Sequence, residues 1–424
     1  LVAWSTIYLT VLSLSILVYR LSPWHPLAST PGRKKAAATK WWMVYRILVK
    51  GGRHWNDRAH NKYGVFVRVG PNEVSVKSSM AVKPIYTQVS KKLVLDYQVY
   101  IIDRLGSVRM TAFSLKHHSQ KRVKQLVEIF ELRSVHHEEL VLDHWFNLFF
   151  MDLMGDIGFS GGFETMKAGD DTEKWLEMVR MFILGRYHFI LSSVMGQIPR
   201  LKSIFKLIPQ PRPLVSFHKV EKAKEIKEMP IKQLRQDILS IIHSWAPPLS
   251  HDEVAVNAVL IVVATADISI QMVLSFFRYI MVDKSKQQKL QKEIDEVFVD
   301  MTDELDVNTL MLLPYLDACV QEALQIMPPG PFSDLIPMTL IITYRKWILP
   351  GTTLHVPVYV MHCDPINFSV LAEEFILKQW LIDKEISSSS TKDKLLLCNH
   401  DAFVPFSAGY SSYMGKHLAL PNIK

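Results

Sequence analysis

Cysteine is scarce in this 424-residue sequence, which contains only Cys319, Cys363 and Cys398. Three widely spaced cysteines argue against a disulfide framework and favour a reducing compartment. Because no two of them form a C-x-x-C pair, a cysteine-based zinc site is not expected.

Common catalytic motifs are also missing. The sequence has no Walker loop and no G-x-G-x-x-G after a strand, and the glycines between Gly155 and Gly162 have other spacings. The pair His137-Glu138 lacks the second histidine of a zinc-protease helix, because that position is Val141. We interpret residues 136–139 as a solvated face, with a metal site as the alternative.

The composition is that of a folded protein, with 49% apolar and 21% charged residues. The net charge of +8 fits an anionic membrane surface, an acidic protein partner or nucleic acid. Basic residues are scattered through periodic segments and form no arm, so nucleic acid is not the expected partner.

The first 20 residues predict a transmembrane anchor. Residues 1–19 carry no charge and are mostly apolar, which is long enough for a helix to cross a bilayer. A cleaved signal peptide is the alternative, but the basic n-region of such a peptide is missing. The positive-inside rule places the rest of the chain in the cytoplasm, because basic residues follow the apolar run, namely Arg20, Arg33, Lys34, Lys35 and Lys40.

Residues 21–40 predict a stiff, proline-rich, basic linker, because proline disfavours a helix. Residues 41–424 predict a single domain. In it, Gly70-Pro71-Asn72 between two valine-rich runs predicts a β-hairpin, and residues 352–360 are β-like. Helical patterns cover about 115–166, 181–195, 220–242, 252–282 and 316–327. The fold class is therefore mainly α with a minor β part.

Several segments resemble, in order, the motifs of fungal microsomal cytochromes P-450. Residues 403–420 (F-V-P-F-S-A-G-Y-S-S-Y-M-G-K-H-L-A-L) are similar to the haem loop F-x-x-G-x-R-x-C-x-G. Residues 313–325 resemble the helix with E-x-x-R, and residues 264–269 (A-T-A-D-I-S) resemble the oxygen-activation motif A-G-x-D-T-T. His362, Asp364 and Pro365 resemble the H-R-D-P turn, residues 373–381 the P-E-R-W-L region, and residues 19–32 the anchor and linker of basidiomycete members.

The resemblance implies a cytochrome P-450 fold and a haem-thiolate monooxygenase. Such enzymes insert one oxygen atom into an apolar small molecule, with electrons from an NADPH-cytochrome reductase. The implied location is the endoplasmic reticulum membrane, as a single-pass protein with the catalytic domain in the cytoplasm.

The haem loop departs from the family pattern at its most important position. Tyr413 stands where the family has the thiolate cysteine, and Ser411 where it has an arginine, whereas Phe406, Gly409 and Gly415 are retained. Tyrosine can ligate ferric haem as a phenolate, but its ordinary pKa of about 10 requires a nearby cation. Tyr413 is therefore either an iron ligand or a bulky side chain that fills the pocket.

Other family positions are changed as well. Asp267 keeps the acid of the oxygen-activation motif, but Ile268 replaces its alcohol, and Ser269 points about 100° away on a helix. Glu322 keeps the glutamate of E-x-x-R, while Gln325 and Gln379 replace the two arginines. We expect these glutamines to donate hydrogen bonds to a protonated Glu322.

The resemblance assigns the haem propionates to His118 and Arg122, which share a helix face because they are four residues apart. A solvated basic face is the alternative for this pair. A further basic position of the family is Met338 here. By comparison with the family pattern, we expect the domain to lack most of the last helix and the C-terminal strands after Leu420.

Three functions remain open. The first is a monooxygenase-family haem protein that is impaired as an oxygenase. The second is a non-catalytic membrane protein that binds haem or an apolar ligand. The third is peroxide chemistry at a tyrosinate haem, which the missing arginine disfavours.

Overall fold

The structure is a computed structural model that describes part of the chain. The described residues are 2–50, 52–87, 112–159, 163–170, 268–299, 306–328, 336–337, 341–343, 346–348, 351–368, 374–381, 397–409, Ser412, Lys416 and Leu420. The predicted helices over 181–195 and 220–242, and residues 252–267 of the one predicted over 252–282, lie outside them.

The described residues are mainly helical, with short strands, as predicted. In chain order the elements are α1 (Val2–Leu21), α2 (Lys34–Ala38), α3 (Trp41–Lys50), α4 (Gly52–Tyr63), β1 (Phe66–Gly70), β2 (Glu73–Val76), α5 (Ser79–Thr87), α6 (Ala112–Val135), α7 (Leu142–Phe159), α8 (Thr165–Ala168), α9 (Ile268–Val282), α10 (Lys284–Val297), α11 (Val307–Met311), α12 (Pro314–Ile326), β3 (Ile336–Pro337), β4 (Ile341–Thr343), β5 (Lys346–Ile348), β6 (Thr353–His355), α13 (Val358–His362) and α14 (Lys378–Leu381). They belong to two compact units, residues 1–94 with 324–413, and residues 95–323 with 414–424.

The first unit is built on a sheet of order β1-β2-β6-β3. The predicted hairpin is confirmed, because β1 and β2 are antiparallel and Gly70-Pro71-Asn72 form the turn. Strand β2 then pairs with β6 in parallel, and β6 pairs with β3 antiparallel. All four side chains of β2 are buried, which places the core of this unit against the sheet. Strands β4 and β5 form a separate antiparallel pair.

The β-like pattern over residues 352–360 is only half correct. Strand β6 ends at His355, and the next apolar residues form the short buried helix α13. Pro357 lies between them with φ −77°. Because proline has no N–H for a sheet ladder and its φ suits a helix start, the chain changes element there.

The proline-rich segment predicted as a linker is packed against the first unit. The Arg68 N–H donates to the Pro31 carbonyl at 2.7 Å, and Gly32 forms a parallel bridge with Arg68. A Cβ on Gly32 would meet the Arg68 carbonyl, so the close approach requires glycine. Leu27 is buried in the core cluster of the sheet. The segment is therefore part of the folded unit, not a free spacer.

Helix α1 has the length and composition of a membrane span. Its 19-residue stretch Ala3–Leu21 has a mean hydropathy of 1.4, and none of it is buried. Among the described residues, it is the one helix that meets this criterion.

The second unit is helical in its described residues. The predicted helical region over residues 115–166 is two long helices, since the chain leaves α6 through a turn in which His137 has a φ of 55°. Trp145, Phe149 and Leu153 are buried along α7, as their spacing predicted. The His136 to Glu139 side chains are exposed, and the described residues contain no cluster of three potential metal ligands.

Candidate active site

The described part of the haem-like loop, residues 403–409, is fixed in the first unit. Val404 and Phe406 are buried, and the Phe403 ring lies 4.8 Å from the Trp380 ring. Gly409 has a φ of 58°, and a Cβ there would collide with the Tyr86 carbonyl at the end of α5. The conformation of the loop therefore requires glycine at this position. Ser411, Tyr413 and Gly415 lie outside the described residues, and the role of Tyr413 stays a prediction.

His362 connects this loop to helix α12. Its Nδ1–H donates to the Gln325 carbonyl at 3.1 Å, and its Nε2 accepts from the Val404 N–H at 3.1 Å. A ring nitrogen that accepts a hydrogen bond carries no proton, so the imidazole is the neutral Nδ1–H tautomer. Burial lowers the pKa of His362 to about 4, which agrees with a neutral ring. The ring also stacks on Phe403, with centroids 5.4 Å apart.

The two glutamines that replace the family arginines meet at the same place. Gln379 Nε2 donates to Gln325 Oε1 at 2.7 Å, and Gln325 Nε2 donates to the His362 carbonyl at 2.9 Å. All three side chains are buried. Both acceptors are neutral, so these bonds form without an ion. We call Gln325, Gln379 and His362 the amide–imidazole cluster.

Glu322 precedes Gln325 by one helical turn on α12 and is fully buried. Gln379 Nε2 donates to Gln325 Oε1, and Gln325 Nε2 donates to the His362 carbonyl. The hydrogen bonds predicted from these glutamines to Glu322 stay a prediction. The sequence analysis assigned His362 no role beyond the H-R-D-P resemblance. The signal that could have indicated one is that His362 is retained where both arginines are replaced.

Arg122 in the second unit lies in a buried cluster of carboxylates. Its Nε and Nη2 donate to the two oxygens of Asp156 at 2.6 and 3.0 Å. Its Nη2 also donates to Glu164 at 2.8 Å, and its Nη1 donates to Gln125 at 2.8 Å. Asp152 is a third carboxylate near Arg122, and its Oδ2 lies 3.7 Å from Nη1. Burial opposes the charge of Arg122, but the bonds to Asp156 and Glu164 outweigh burial and raise its pKa.

This geometry contradicts one of the two interpretations of Arg122 and bears on the other. The side chain is 0% exposed, so the solvated basic face is wrong for this residue. Four of its five N–H groups are bonded to Asp156, Glu164 and Gln125. The guanidinium therefore has almost no donor left for a propionate.

The partners of Arg122 join three helices. Asp156 and Asp152 lie on α7, and Asp152 accepts from the N–H groups of Thr165 and Met166 at the start of α8. Burial raises the pKa of Asp152 although those bonds lower it. His118, one turn before Arg122 on α6, is 28% exposed and has Nδ1 4.0 Å from Asp156. His118 remains the predicted propionate residue, and its ring is partly exposed.

The described part of helix α9 starts with Ile268, the residue after the predicted acid. Asp267 lies outside the described residues, and its role stays a prediction. Ser269 is 1% exposed, and its hydroxyl has no hydrogen-bond partner among the residues that the structure describes. An isoleucine and a buried serine thus follow the acid position.

Comparison with known proteins identifies relatives for most of the chain. The family model described as Cytochrome P450 matches residues 105–424. The cytochrome P450 monooxygenase FCK2 of Fusarium pseudograminearum is 27% identical over 96% of this chain and 76% of its own length. Tryprostatin B 6-hydroxylase of Aspergillus fumigatus is 27% identical over 98% of this chain and 76% of its own length. The cytochrome P450 monooxygenase lcsI of Purpureocillium lilacinum is 26% identical over 98% and 84%.

The Arg122 cluster predicts a large loss of stability in Arg122→Met. This change leaves the buried Asp152 and Asp156 without their cation, which costs about 3–5 kcal/mol. Urea unfolding of the purified chain measures the loss. Lys292→Met is the control, because Lys292 pairs with Glu296 at the surface, and the expected cost there is about 1 kcal/mol or less. Equal losses in the two variants would show that Arg122 is not committed to the carboxylates.

The buried neutral histidines predict that acid destabilises the chain. Burial lowers the pKa of His60 and His362 to about 4 and that of His355 to about 3, against an ordinary value of 6.5. The unfolded chain therefore binds more protons between these values, and stability falls as the pH drops below about 6.5. Between pH 7 and pH 5 each histidine costs about 2 kcal/mol.

Unfolding free energies at pH 7 and pH 5 test this expectation for His362. His362→Asn should depend on pH by about 2 kcal/mol less than the wild type over that interval. His400→Asn is the control, because His400 is exposed. A His362→Asn variant with the full pH dependence of the wild type would refute the neutral tautomer.

Proposed function

The chain belongs to the cytochrome P450 family, and on that premise we propose that it keeps the family scaffold while its monooxygenase activity is impaired. The family implies a haem cofactor, a reductase as the electron donor and an apolar substrate. The named relatives include two monooxygenases and one hydroxylase of fungi.

The observation that carries the proposal is the amide–imidazole cluster. At these positions the resemblance implies a buried ion network, and breaking such a network by removing one partner is strongly destabilising. Here Gln379 bonds to Gln325, and Gln325 bonds to the His362 carbonyl. Each of these amide donors has an acceptor, so the amide–imidazole cluster can remain folded without either arginine. The substitutions are therefore compatible with a folded chain.

The residues that deliver protons in the family are only partly retained in this chain. Delivery of protons to dioxygen needs an acid and an alcohol close together, and the alkyl side chain of Ile268 cannot donate a proton. Asp267 is then a remnant acid. The proposed consequence is that proton delivery, and with it oxygen insertion, is weak.

The described residues fit haem in part. The loop with Phe406 and Gly409 keeps its constrained backbone, and with Gly415 it would hold the group. When bound, haem supplies the iron at which dioxygen is activated. His118 has a partly exposed ring for a propionate, whereas the Arg122 guanidinium is bonded to carboxylates. We therefore propose weak haem binding, with Arg122 as a structural residue.

Tyr413 is proposed to fill the ligand position without binding iron. A phenolate needs a nearby cation to form easily, and the family arginine is Ser411 in this chain. A tyrosinate ligand is the alternative. If no haem binds, the chain is a non-catalytic, membrane-anchored pseudoenzyme or a protein that binds an apolar ligand.

The proposed location is the endoplasmic reticulum membrane, with α1 as a single-pass anchor. The length and hydropathy of α1 support a span, and the basic residues after it support a cytoplasmic position for both units. The reductase would then meet the chain on the cytoplasmic side.

Absorption spectra of the full chain, expressed with haem supplementation, test the ligand proposal. The reduced carbon monoxide complex should lack a thiolate-type band, because no cysteine occupies position 413. Replacing both loop residues, by Tyr413→Cys with Ser411→Arg, should create that band. Tyr413→Phe should leave the ferric spectrum unchanged.

Two results would contradict the proposal. A thiolate-type band in the wild type would show that another cysteine ligates the iron. A ferric phenolate band that disappears in Tyr413→Phe would show that Tyr413 is the ligand. Absence of bound haem in the wild type and in the restored double variant would favour the non-catalytic function.

A further inference from the structure

The sheet of the first unit carries a row of three buried side chains across β1, β2 and β6. Val67 is aligned with Ser75, and Ser75 is aligned with His355, so the three side chains point to the same face of the sheet. Successive side chains of a strand alternate between the faces, and Val74 and Leu354 therefore point to the other face. That other face holds the main core cluster, which includes Val74 and Leu354.

Helix α4 packs on the face that carries this row. Its Ala59 forms a cluster with Val67 and Val69 of β1. Among the described residues, this cluster has three buried hydrophobic members, whereas the main core cluster has fourteen. The rest of the row is polar, because it consists of the buried Ser75 and His355. The described side chains therefore attach α4 through a small apolar contact and a polar one.

The polar contact is a hydrogen-bond chain through His60 of α4. Burial lowers the pKa of His60 to about 4, so its ring is neutral at pH 7. The Nδ1–H donates to the Gly64 carbonyl at 2.8 Å, because a carbonyl oxygen only accepts. The Nε2 then has no proton, and it accepts from the Ser75 hydroxyl at 2.8 Å. A neutral imidazole thus joins α4 to β2.

His355 lies beside Ser75 in the row and is only 2% exposed. Neither of its ring nitrogens has a hydrogen-bond partner among the residues that the structure describes. A neutral ring can be buried in this way, whereas an imidazolium without an acceptor is costly to bury. Burial and the neighbouring His60 lower the pKa of His355 to about 3. A proton on either ring therefore opposes the packing of α4 on the sheet.

Two further charged groups lie near these histidines. Lys77, which follows β2, opposes the protonation of His60, and Asp364, which follows α13, favours it. Lys77 and Asp364 pair with each other at 3.0 Å, so their effects on His60 largely cancel. The charge that acts on His355 is that of His60. In the described part of the chain, no carboxylate is hydrogen-bonded to either ring.

We propose that His60 and His355 form an acid-sensitive latch, which holds α4 on the sheet while both rings are neutral and releases it when they bind protons. Release exposes both rings to water, where a histidine binds a proton below about pH 6.5. Isolated helices as short as the 12-residue α4 are not stable in water, so α4 unfolds when it leaves the sheet. The main core cluster, on the other face, stays packed. Helix α4 also contacts α13, so the latch lies next to the helix that carries His362.

Hydrogen exchange of the full chain at pH 7 and pH 5, read by mass spectrometry and divided by the intrinsic exchange rates, tests the latch. Peptides from α4 report its release, and peptides from α5 report the main core cluster, which contains Ala81 and Ile85 of that helix. The test variant is His355→Leu, which replaces one titrating ring by an apolar side chain. The matched control is His400→Leu, because His400 is an exposed histidine of the same unit.

The corrected exchange of α4 should rise on the order of 500-fold from pH 7 to pH 5, because release frees two histidines that contribute roughly 20- to 25-fold each. At pH 5 it should be faster than that of α5. The rise should fall to roughly 20-fold in His355→Leu, where one histidine remains, and stay complete in His400→Leu. Ser75→Ala should speed the exchange of α4 already at pH 7, because His60 loses its donor.

Three results would overturn the latch. Equal protection of α4 and α5 at pH 5 would show that the unit opens only as a whole. An undiminished rise in His355→Leu would show that the ring of His355 does not hold α4 in place. Unchanged exchange of α4 in Ser75→Ala would show that the hydrogen bond to His60 does not attach the helix, and this variant keeps His355 intact.

Discussion

The neutral ring of His362 is the contact on which the candidate active site depends. It accepts from the Val404 N–H in the loop and donates to the Gln325 carbonyl at the end of α12. Both bonds require one tautomer, and burial maintains that tautomer by disfavouring the second proton. The position of the loop that leads to Tyr413 is therefore set by a group without charge. This explains how the amide–imidazole cluster can form without the two arginines of the family motifs.

Two buried polar clusters, one in each unit, satisfy their groups in different ways. In the first, the amide–imidazole cluster joins neutral donors to neutral acceptors. In the second, Arg122 is neutralised by the carboxylates of Asp156 and Glu164, close to Asp152. Buried charge is tolerated only where it is paired and hydrogen-bonded. Arg122, which the resemblance assigned to a haem propionate, thus links helices α6 and α7 to the start of α8.

Local signals in the sequence predicted the elements that depend on local physics. Gly70-Pro71-Asn72 predicted the hairpin, and the spacing of Trp145, Phe149 and Leu153 predicted the buried face of α7. The strand predicted over residues 352–360 was too long, because the apolar residues continue past Pro357, where the chain enters helix α13. The family motifs placed Gln325 and Gln379 in one network with Glu322, but the bond between the two glutamines was not predicted.

Contacts between residues far apart in sequence were beyond prediction. The acceptors of Arg122 lie 34 and 42 residues away, and helical periodicity shows only that the side chain shares a face with His118. The bond between His362 and Val404 spans 42 residues and involves a backbone N–H, which has no signature in the sequence. Tyr413, Gly415 and Asp267 retain the roles that the resemblance alone gives them.

The central claim is that neutral hydrogen bonds replace the ion network, and a double-mutant cycle tests it most directly. Unfolding free energies would be measured for the wild type, Gln325→Leu, Gln379→Leu and the double variant. The account predicts a coupling of about 0.5–3 kcal/mol between the two glutamines, because they share one buried bond. A coupling near zero would contradict it.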